Sequence, residues 1–219
     1  MLNSGIKVWM LTGDKMETAE NIGFSCKLID QDFGIIKISC NSDAEAENYL
    51  NHLKLYYRKY RDDKRKVAVI IDGIALNFVL ANIERSLMYL AVLKKCESVI
   101  CCRVTPKQKA SVVQLVKHFL GKCCLAIGDG GNDVNMIMQG NIGIGLFGLE
   151  GMQAANASDF AIPEFQCIER LLFVHGRWLY LRNAEMILYF FYKNMLFTIP
   201  QFFFAIFNAF SALSLFESW

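Results

Sequence analysis

Residues 5–23 read GIKVWMLTGDKMETAENIG. The segment 6–11 is a short apolar run that predicts a buried strand, and a polar turn at residues 12–14 follows it. From residue 16 to 28 the apolar residues recur with helical spacing. A short apolar strand followed directly by a helix is the repeating unit of parallel sheets that are covered on both faces, so this stretch predicts an α/β fold.

The same alternation continues along the chain. Further strands are predicted at 67–71, 98–104, 123–127 and 142–146, and helices at 75–93, 107–120 and 132–138. We therefore expect one parallel sheet with flanking helices over residues 1–165. The charged segment 42–66 interrupts this pattern. Its end, RKYRDDKRK at 58–66, could be a nucleic-acid patch, but acids interrupt the basic run, which favours a solvated helix face or loop insertion and no nucleic-acid partner.

The C-terminal part differs in composition from the rest. Of 23 Lys and Arg residues, all but Lys193 lie at or before Arg182, and residues 195–216 carry no charge. Such a run can span ~30 Å of hydrocarbon. We expect a stalk helix at 166–185 and a transmembrane helix at 186–217, kinked at Pro200. The bias of basic residues predicts an integral membrane protein whose soluble part is cytosolic.

The eight cysteines show no CxxC spacing and offer no converging metal site. Several fall in apolar strand-like runs, where a reduced cysteine behaves as a small hydrophobe. We therefore expect buried, reduced thiols.

Three polar clusters follow predicted strands, and ligands of open parallel sheets bind beyond the carboxyl ends of strands. They are TGD at 12–14, RVTPKQK at 103–109 and GDGGND at 128–133. A threonine hydroxyl and backbone amides can hold phosphate, a lysine can neutralise it, and two carboxylates four residues apart suit Mg²⁺ together with phosphate oxygens. Each cluster alone is typical of an ordinary turn. The ordered set predicts one Mg²⁺-phosphate pocket.

This ordered set resembles the phosphorylation domain of P-type ATPases, which belong to the haloacid-dehalogenase-like superfamily. The longer strings GIKVWMLTGDKMETAENIG (5–23), CRVTPKQKA (102–110) and FFYKN (190–194) are similar to the type IV, phospholipid-flippase subfamily. The resemblance implies an incomplete haloacid-dehalogenase-like parallel sheet in which a missing strand leaves one strand without its neighbour. It also implies an ATP-driven reaction that depends on Mg²⁺ and passes through an aspartyl-phosphate, and movement of phospholipid to the cytosolic leaflet. An accessory subunit is a candidate partner of a full-length protein of this kind.

The resemblance also implies residue roles. Thr12, Lys109 and Asp129 would be catalytic. The phosphates of ATP would be bound by Thr12, Gly13, Asp14, Arg103, Lys109, Asn132 and Asp133, and Mg²⁺ by Asp129 and Asp133. In the membrane, Lys193 and Asn194 match a lysine and an asparagine associated with lipid transport. From physics alone, Lys193 could instead extend its ammonium to the membrane interface.

One family feature is absent. The DKTGT string that carries the family's nucleophile does not occur in these 219 residues, and covalent catalysis needs that carboxylate. We therefore expect a flippase fragment that is inactive alone, whether it comes from a truncated gene model, a gene fragment or a pseudogene. A membrane-anchored phosphatase of the same superfamily would need the same nucleophile. The remaining alternative is a non-enzymatic, membrane-anchored binding module with a Mg²⁺-phosphate pocket.

Overall fold

The computed structural model describes residues 4–40, 42–63, 65–147, 152–211 and 215. It divides the chain into two compact units, Met1–Phe165 and Gln166–Trp219.

The first unit contains a four-stranded parallel sheet. Its strand order is β1-β4-β3-β2, with β1 at Val8–Leu11, β2 at Gly34–Ile38, β3 at Val67–Asp72 and β4 at Ser98–Cys102. The two central strands β3 and β4 are buried along their whole length. In the register of these strands, Leu11 lies beside Cys101 and Asp72 beside Cys102, so three strands end at about the same level.

Helices cover both faces of this sheet. They are α1 at Met16–Ser25, α2 at Asp43–Asp62, α3 at Gly73–Ala81, α4 at Ile83–Leu93 and α5 at Pro106–Leu120. Alternate residues of β3 enter two separate apolar clusters, with Val69 in one and Ile70 in the other. This is the arrangement expected of a strand that is apolar on both faces, as β3 is from Val67 to Ile71.

The single helix predicted at 75–93 is wrong, because the structure breaks it into α3 and α4. At the break, Asn82 has φ −126° and ψ 126°, and its side chain accepts a hydrogen bond of 2.8 Å from the amide of Glu84. Asparagine is a favoured N-cap because its side-chain oxygen satisfies an amide that has no partner within the helix.

The parallel strands and flanking helices agree with the predicted α/β fold, but among the described residues the strands are divided between two sheets. A second parallel sheet has the order β5-β6-β7, with β5 at Leu125–Gly128, β6 at Ile142–Leu146 and β7 at Phe160–Ile162. It carries α6 at Val134–Gln139 and α7 at Gln153–Asn156. The strands β1 and β5 each form an edge, and no ladder joins them in the part of the chain that the structure describes.

Four elements of the first unit were not predicted by name: α2, β2, α7 and β7. Within the segment 42–66, Asp43–Asp62 forms the 20-residue helix α2, which agrees with a solvated helix face. Lys64 lies outside the described residues. Strand β2 precedes it, and β7 is a three-residue edge strand that is too short to give a clear pattern.

The predicted burial of the cysteines holds for four of the eight. Four thiols are buried, at Cys40, Cys96, Cys101 and Cys102. By contrast, Cys26 and Cys123 are exposed, while Cys124 and Cys167 are half-buried. The predicted burial is wrong for the exposed pair, because Cys26 follows the end of α1 and Cys123 precedes β5, outside the apolar strands.

The second unit is a continuous helical segment of 41 residues, Cys167–Phe207. It comprises α8 at Cys167–Arg170, a π-helical turn at Leu171–His175 and α9 at Gly176–Phe207. By length and composition this is the one segment among the described residues that could cross a membrane. The predicted helical span 186–217 is too long, because the helix ends at Phe207 and a turn follows at 208–210. Residues 212–214 and 216–219 lie outside the described residues.

Candidate functional site

The turn after β1 is held by its own polar groups and by β4. The hydroxyl of Thr12 donates to Asp14 Oδ2 at 2.6 Å, and the amide of Asp14 donates back to Thr12 Oγ1 at 3.2 Å. The amide of Thr12 donates to the carbonyl of Cys101 at 2.9 Å. The TGD segment is thus a fixed turn at the carboxyl end of the sheet.

The end of β4 is joined to the same turn. The amide of Arg103 donates to the carbonyl of Asp14 at 2.9 Å, and the amide of Val104 donates to the carbonyl of Thr12 at 3.1 Å. Arg103 has φ +52°, a left-handed conformation that costs a non-glycine residue about 1–2 kcal/mol. Two of the three predicted clusters are therefore adjacent, and the chain at Arg103 is held in an unfavourable backbone conformation between them.

A capping box starts helix α5. Thr105 is its N-cap, and Gln108 Oε1 accepts a hydrogen bond of 2.7 Å from the amide of Thr105. The other end of the Gln108 side chain, Nε2, donates to the carbonyl of Gly73 and to Asn77 Oδ1, both at 2.7 Å. Because Gln108 is buried and bonded at both ends, it fixes the first turn of α5 against α3.

Lys109 follows Gln108 and reaches the third cluster. Its Nζ lies 2.8 Å from Asp133 Oδ1, and the two side chains are only 11% and 12% exposed. Asp133 packs against the backbone of Gly128, where an added Cβ would overlap the carboxylate side chain. Eight residues further along α5, Lys117 donates to the carbonyl of Gln139 at 3.3 Å. These contacts hold the GDGGND loop beside α5.

The acidic loop after β5 offers a limited set of donors for a cation. Asp129 and Asn132 are exposed and Asp133 is buried. Among the described residues no group of three or more His, Cys, Asp or Glu side chains could hold a metal ion. Magnesium in phosphate-transferring sites takes one or two carboxylates and completes its shell with water and phosphate. The donor set fits such a cation, with Asp129 accessible and Asp133 Oδ1 engaged by Lys109.

Hydrogen bonds and ion pairs thus link members of all three predicted clusters in the first unit. Thr12 and Asp14 bind the backbone after β4, and Lys109 binds Asp133. In the second unit, Lys193 Nζ lies 5.6 Å from the ring centroid of Phe190. The carbonyl of Asn194 accepts a hydrogen bond of 2.8 Å from the Thr198 hydroxyl, as Ser and Thr side chains do within helices.

The sequence gives no role to Gln108, and it indicates for Asp72 only a turn after a strand, close to a nucleotide. Gln108 stands three residues after Thr105, which is the spacing of a capping box and could have been recognised. Asp72 ends β3 and is 6% exposed, and its Oδ2 lies 4.0 Å from Arg103 Nη1. The Asp72-Gly73 pair was visible as a turn after a strand, but its proximity to Arg103 depends on the pairing of β3 with β4.

The thiols around the ends of β3 and β4 are poor acids. Burial raises the pKa of Cys96 and Cys101 to about 12. The pKa of Cys102 rises to about 11, first because of burial and then because of the negative charge of Asp72. These cysteines are therefore packing residues and not nucleophiles at neutral pH.

Comparison with known proteins gives matches over the whole chain. Residues 155–219 match the family described as phospholipid-translocating P-type ATPase C-terminal. The chain is 47% identical over 220 residues to phospholipid-transporting ATPase C887.12 of Schizosaccharomyces pombe. It is 48% identical over 231 residues to probable phospholipid-transporting ATPase 5 of Arabidopsis thaliana and 42% identical over 243 residues to phospholipid-transporting ATPase VA of Homo sapiens.

These alignments cover 99–100% of this chain but only 17%, 19% and 16% of the respective relatives. The chain therefore spans less than a fifth of the length of the curated relatives that it matches.

Proposed function

We propose that this chain, which belongs to the type IV (phospholipid-transporting) family of P-type ATPases, supplies such an enzyme with part of its phosphoryl-transfer site and one membrane helix. The observation that carries the proposal is the sequence identity of 47%, over 99% of the chain, to a phospholipid-transporting ATPase. The contacts among the TGD, RVTPKQK and GDGGND segments support it, because they join the three segments whose side chains are proposed to bind phosphate.

The roles proposed for these residues follow from their chemistry. Thr12, with Gly13 and Asp14, binds the phosphoryl group through its hydroxyl and the nearby amides. Lys109 neutralises the charge of that group, and Arg103 contacts the nucleotide. Asp129 and Asp133 hold Mg²⁺ and Asn132 donates its amide to the phosphate. When bound, Mg²⁺ would neutralise phosphate oxygens during transfer.

The nucleophile of this reaction has to come from outside the 219 residues, which contain no DKTGT string. A carboxylate oxygen would attack the γ-phosphorus of ATP, and the bond to the bridging oxygen of ADP would break. Water would then hydrolyse the acyl phosphate to free carboxylate and inorganic phosphate. The chain's own residues bind and orient the phosphoryl group in both steps.

The proposed fold is a haloacid-dehalogenase-like sheet that one more strand completes. Among the described residues, β1 and β5 are edge strands of two parallel sheets, and Lys109 and Asp133 connect the segments that follow β4 and β5. A strand that carried the nucleophile could pair with both edges and join the two sheets. Its carboxylate would then end beside Thr12 and Asp129.

The second unit is proposed to cross the membrane. The residues Met186–Phe207 would span about 33 Å at a rise of ~1.5 Å per residue. Because nearly all the basic residues precede this segment, its N-terminal side and the first unit are proposed to be cytosolic. Lys193 and Asn194 would then contact a phospholipid moving to the cytosolic leaflet, and an accessory subunit could join the full-length transporter.

A chimera tests this proposal. The chain would replace the matching segment of the Schizosaccharomyces pombe ATPase C887.12, with the intact relative and the 219-residue chain compared at equal amounts in membranes. With radiolabelled ATP and Mg²⁺, we expect the chimera to form a hydroxylamine-sensitive phosphoenzyme and the chain alone to form none. A correctly inserted chimera without phosphoenzyme would contradict the proposal. Nucleotide binding without phosphoenzyme would instead support a non-enzymatic binding module.

A further inference from the structure

Asp72 occupies an N-cap position without acting as an N-cap. It precedes α3 with φ −81° and ψ 148°, yet its side chain forms no capping hydrogen bond. An aspartate at this position ordinarily accepts a bond from an amide of the first helical turn. The carboxylate is only 8% exposed, and its Oδ1 atom is buried without a hydrogen-bond partner. A buried carboxylate oxygen without a partner is unfavourable and calls for an explanation.

The carboxylate instead lies near the guanidinium of Arg103. The separation between Asp72 Oδ2 and Arg103 Nη1 is 4.0 Å, which is an ion pair and not a hydrogen bond. The Arg103 side chain is 53% exposed, so much of its guanidinium stays open to solvent. The pairing therefore restrains the cation and leaves its donors available to a ligand.

The backbones of the two segments are also in close contact. Gly73 faces the carbonyl oxygen of Arg103 so closely that an added Cβ would overlap it. The carbonyl of Gly73 accepts a hydrogen bond from Gln108, which holds the start of α5 beside the same turn. With φ at +52°, Arg103 is thus kept in its left-handed conformation by contacts on both sides.

We propose that Asp72 is a positioning residue that restrains the Arg103 guanidinium for contact with the bound nucleotide. This inference rests on the proposed function, which assigns the nucleotide contact to Arg103. Asp72 itself does not touch the nucleotide, because its Oδ1 atom is buried and its Oδ2 atom faces the guanidinium. The carboxylate gives up a helix-capping bond and instead supplies an opposite charge that limits where the arginine can move.

The test is a double-mutant cycle in the chimera described above. Asp72→Asn keeps the shape of the side chain and removes its charge, and Arg103→Gln removes the cation. We expect Asp72→Asn to raise the KM for ATP roughly three- to tenfold with kcat nearly unchanged. If Asp72 acts only through Arg103, the double variant should have the same KM as Arg103→Gln.

A matched control is Glu97→Gln. Glu97 lies at the opposite end of β4 from Arg103 and forms its own ion pair with Lys7 at 3.0 Å. The chimera that carries Glu97→Gln should have an unchanged KM for ATP. If Asp72→Asn fails to reach the membrane, Asp72→Ser supplies a smaller neutral side chain, and the same rise in KM is expected.

The outcomes separate the two proposals. An unchanged KM in the neutral Asp72 variants, or additive effects in the cycle, would overturn the role of Asp72 while leaving that of Arg103 intact. If Arg103→Gln left the KM for ATP unchanged, Arg103 would not contact the nucleotide. Both proposals about this arginine would then fail.

Discussion

The ammonium of Lys109 lies 2.8 Å from Asp133 Oδ1, and this pair links helix α5 to the loop after β5. Lys109 lies in α5, which follows β4 of the first sheet. Asp133 lies after β5, the first strand of the second sheet. The two sheets share no ladder among the described residues, so the contact between these segments depends on side chains and helix packing. A buried pair in such a position affects both stability and the geometry of the site.

Loss of one member of this pair should be costly. In Lys109→Met the Asp133 carboxylate remains buried without its cation, so we expect the free energy of unfolding to fall by about 3 kcal/mol. The double variant Lys109→Met/Asp133→Asn should be less destabilised than Lys109→Met. Urea unfolding of the 219-residue chain in detergent, followed by circular dichroism, measures both. The exposed pair is the control: Lys7→Met should cost less than about 1 kcal/mol. Equal losses at both pairs would contradict the burial argument.

Gln108 should matter for activity as well as for stability. In Gln108→Ala the carbonyl of Gly73 and the side-chain oxygen Oδ1 of Asn77 lose the donor that they share, which should cost about 2 kcal/mol of stability. Because Lys109 is the next residue, we also expect slower phosphoenzyme formation in the chimera. Gln114→Ala, at an exposed position of the same helix, should change neither quantity. If both variants behaved alike, Gln108 would have no special role in orienting α5.

Local patterns in the sequence were enough to predict the main strands, but they did not predict which strands pair with each other. The segments predicted as strands at 67–71 and 98–104 became β3 and β4, and the helix predicted at 107–120 became α5 at Pro106–Leu120. The separation into two sheets could not be predicted, because strand neighbours depend on contacts distant in sequence. The link from Asp72 to Arg103 escaped notice for the same reason. The break at Asn82 was missed because apolar residues continue on both sides of it.

The cysteines should divide into reactive and protected groups. The exposed thiols of Cys26 and Cys123 should react rapidly with a maleimide at pH 7 in the folded chain. The buried thiols should react only after unfolding, namely Cys40, Cys96, Cys101 and Cys102. Mass spectrometry of peptides labelled before and after urea treatment separates the groups. Rapid labelling of Cys101 in the folded chain would show that the end of β4 opens far more readily than its burial indicates.

Stability should fall at alkaline pH because of the same buried thiols. The pKa of Cys96 and Cys101 is about 12 in the folded chain and near 9 when the chain is unfolded. A raised folded pKa means that the stabilisation is complete below pH 9 and is lost as the pH rises from 9 towards 12. The midpoint of urea unfolding should decline as the pH rises across this window. In the double variant Cys96→Ala/Cys101→Ala the midpoint should decline less steeply. Identical slopes would indicate that other groups, such as the buried Tyr89, dominate the alkaline loss.

The membrane helix makes a prediction that does not depend on catalysis. Leu196 lies at the centre of Met186–Phe207 and is exposed, as a lipid-facing side chain would be. An arginine at the centre of a membrane span costs about 2.5–3.5 kcal/mol on insertion scales, and Lys193 already adds one charge to this helix. We therefore expect Leu196→Arg to lower sharply the fraction of chain that resists carbonate extraction from microsomes. The matched control is Trp178→Arg, near the start of α9 and outside the apolar span, which should insert normally. Because both side chains are exposed, a difference in extraction between the two variants would reflect the lipid environment and not the folding of the first unit. Equal extraction of the two variants would argue against a membrane-spanning α9.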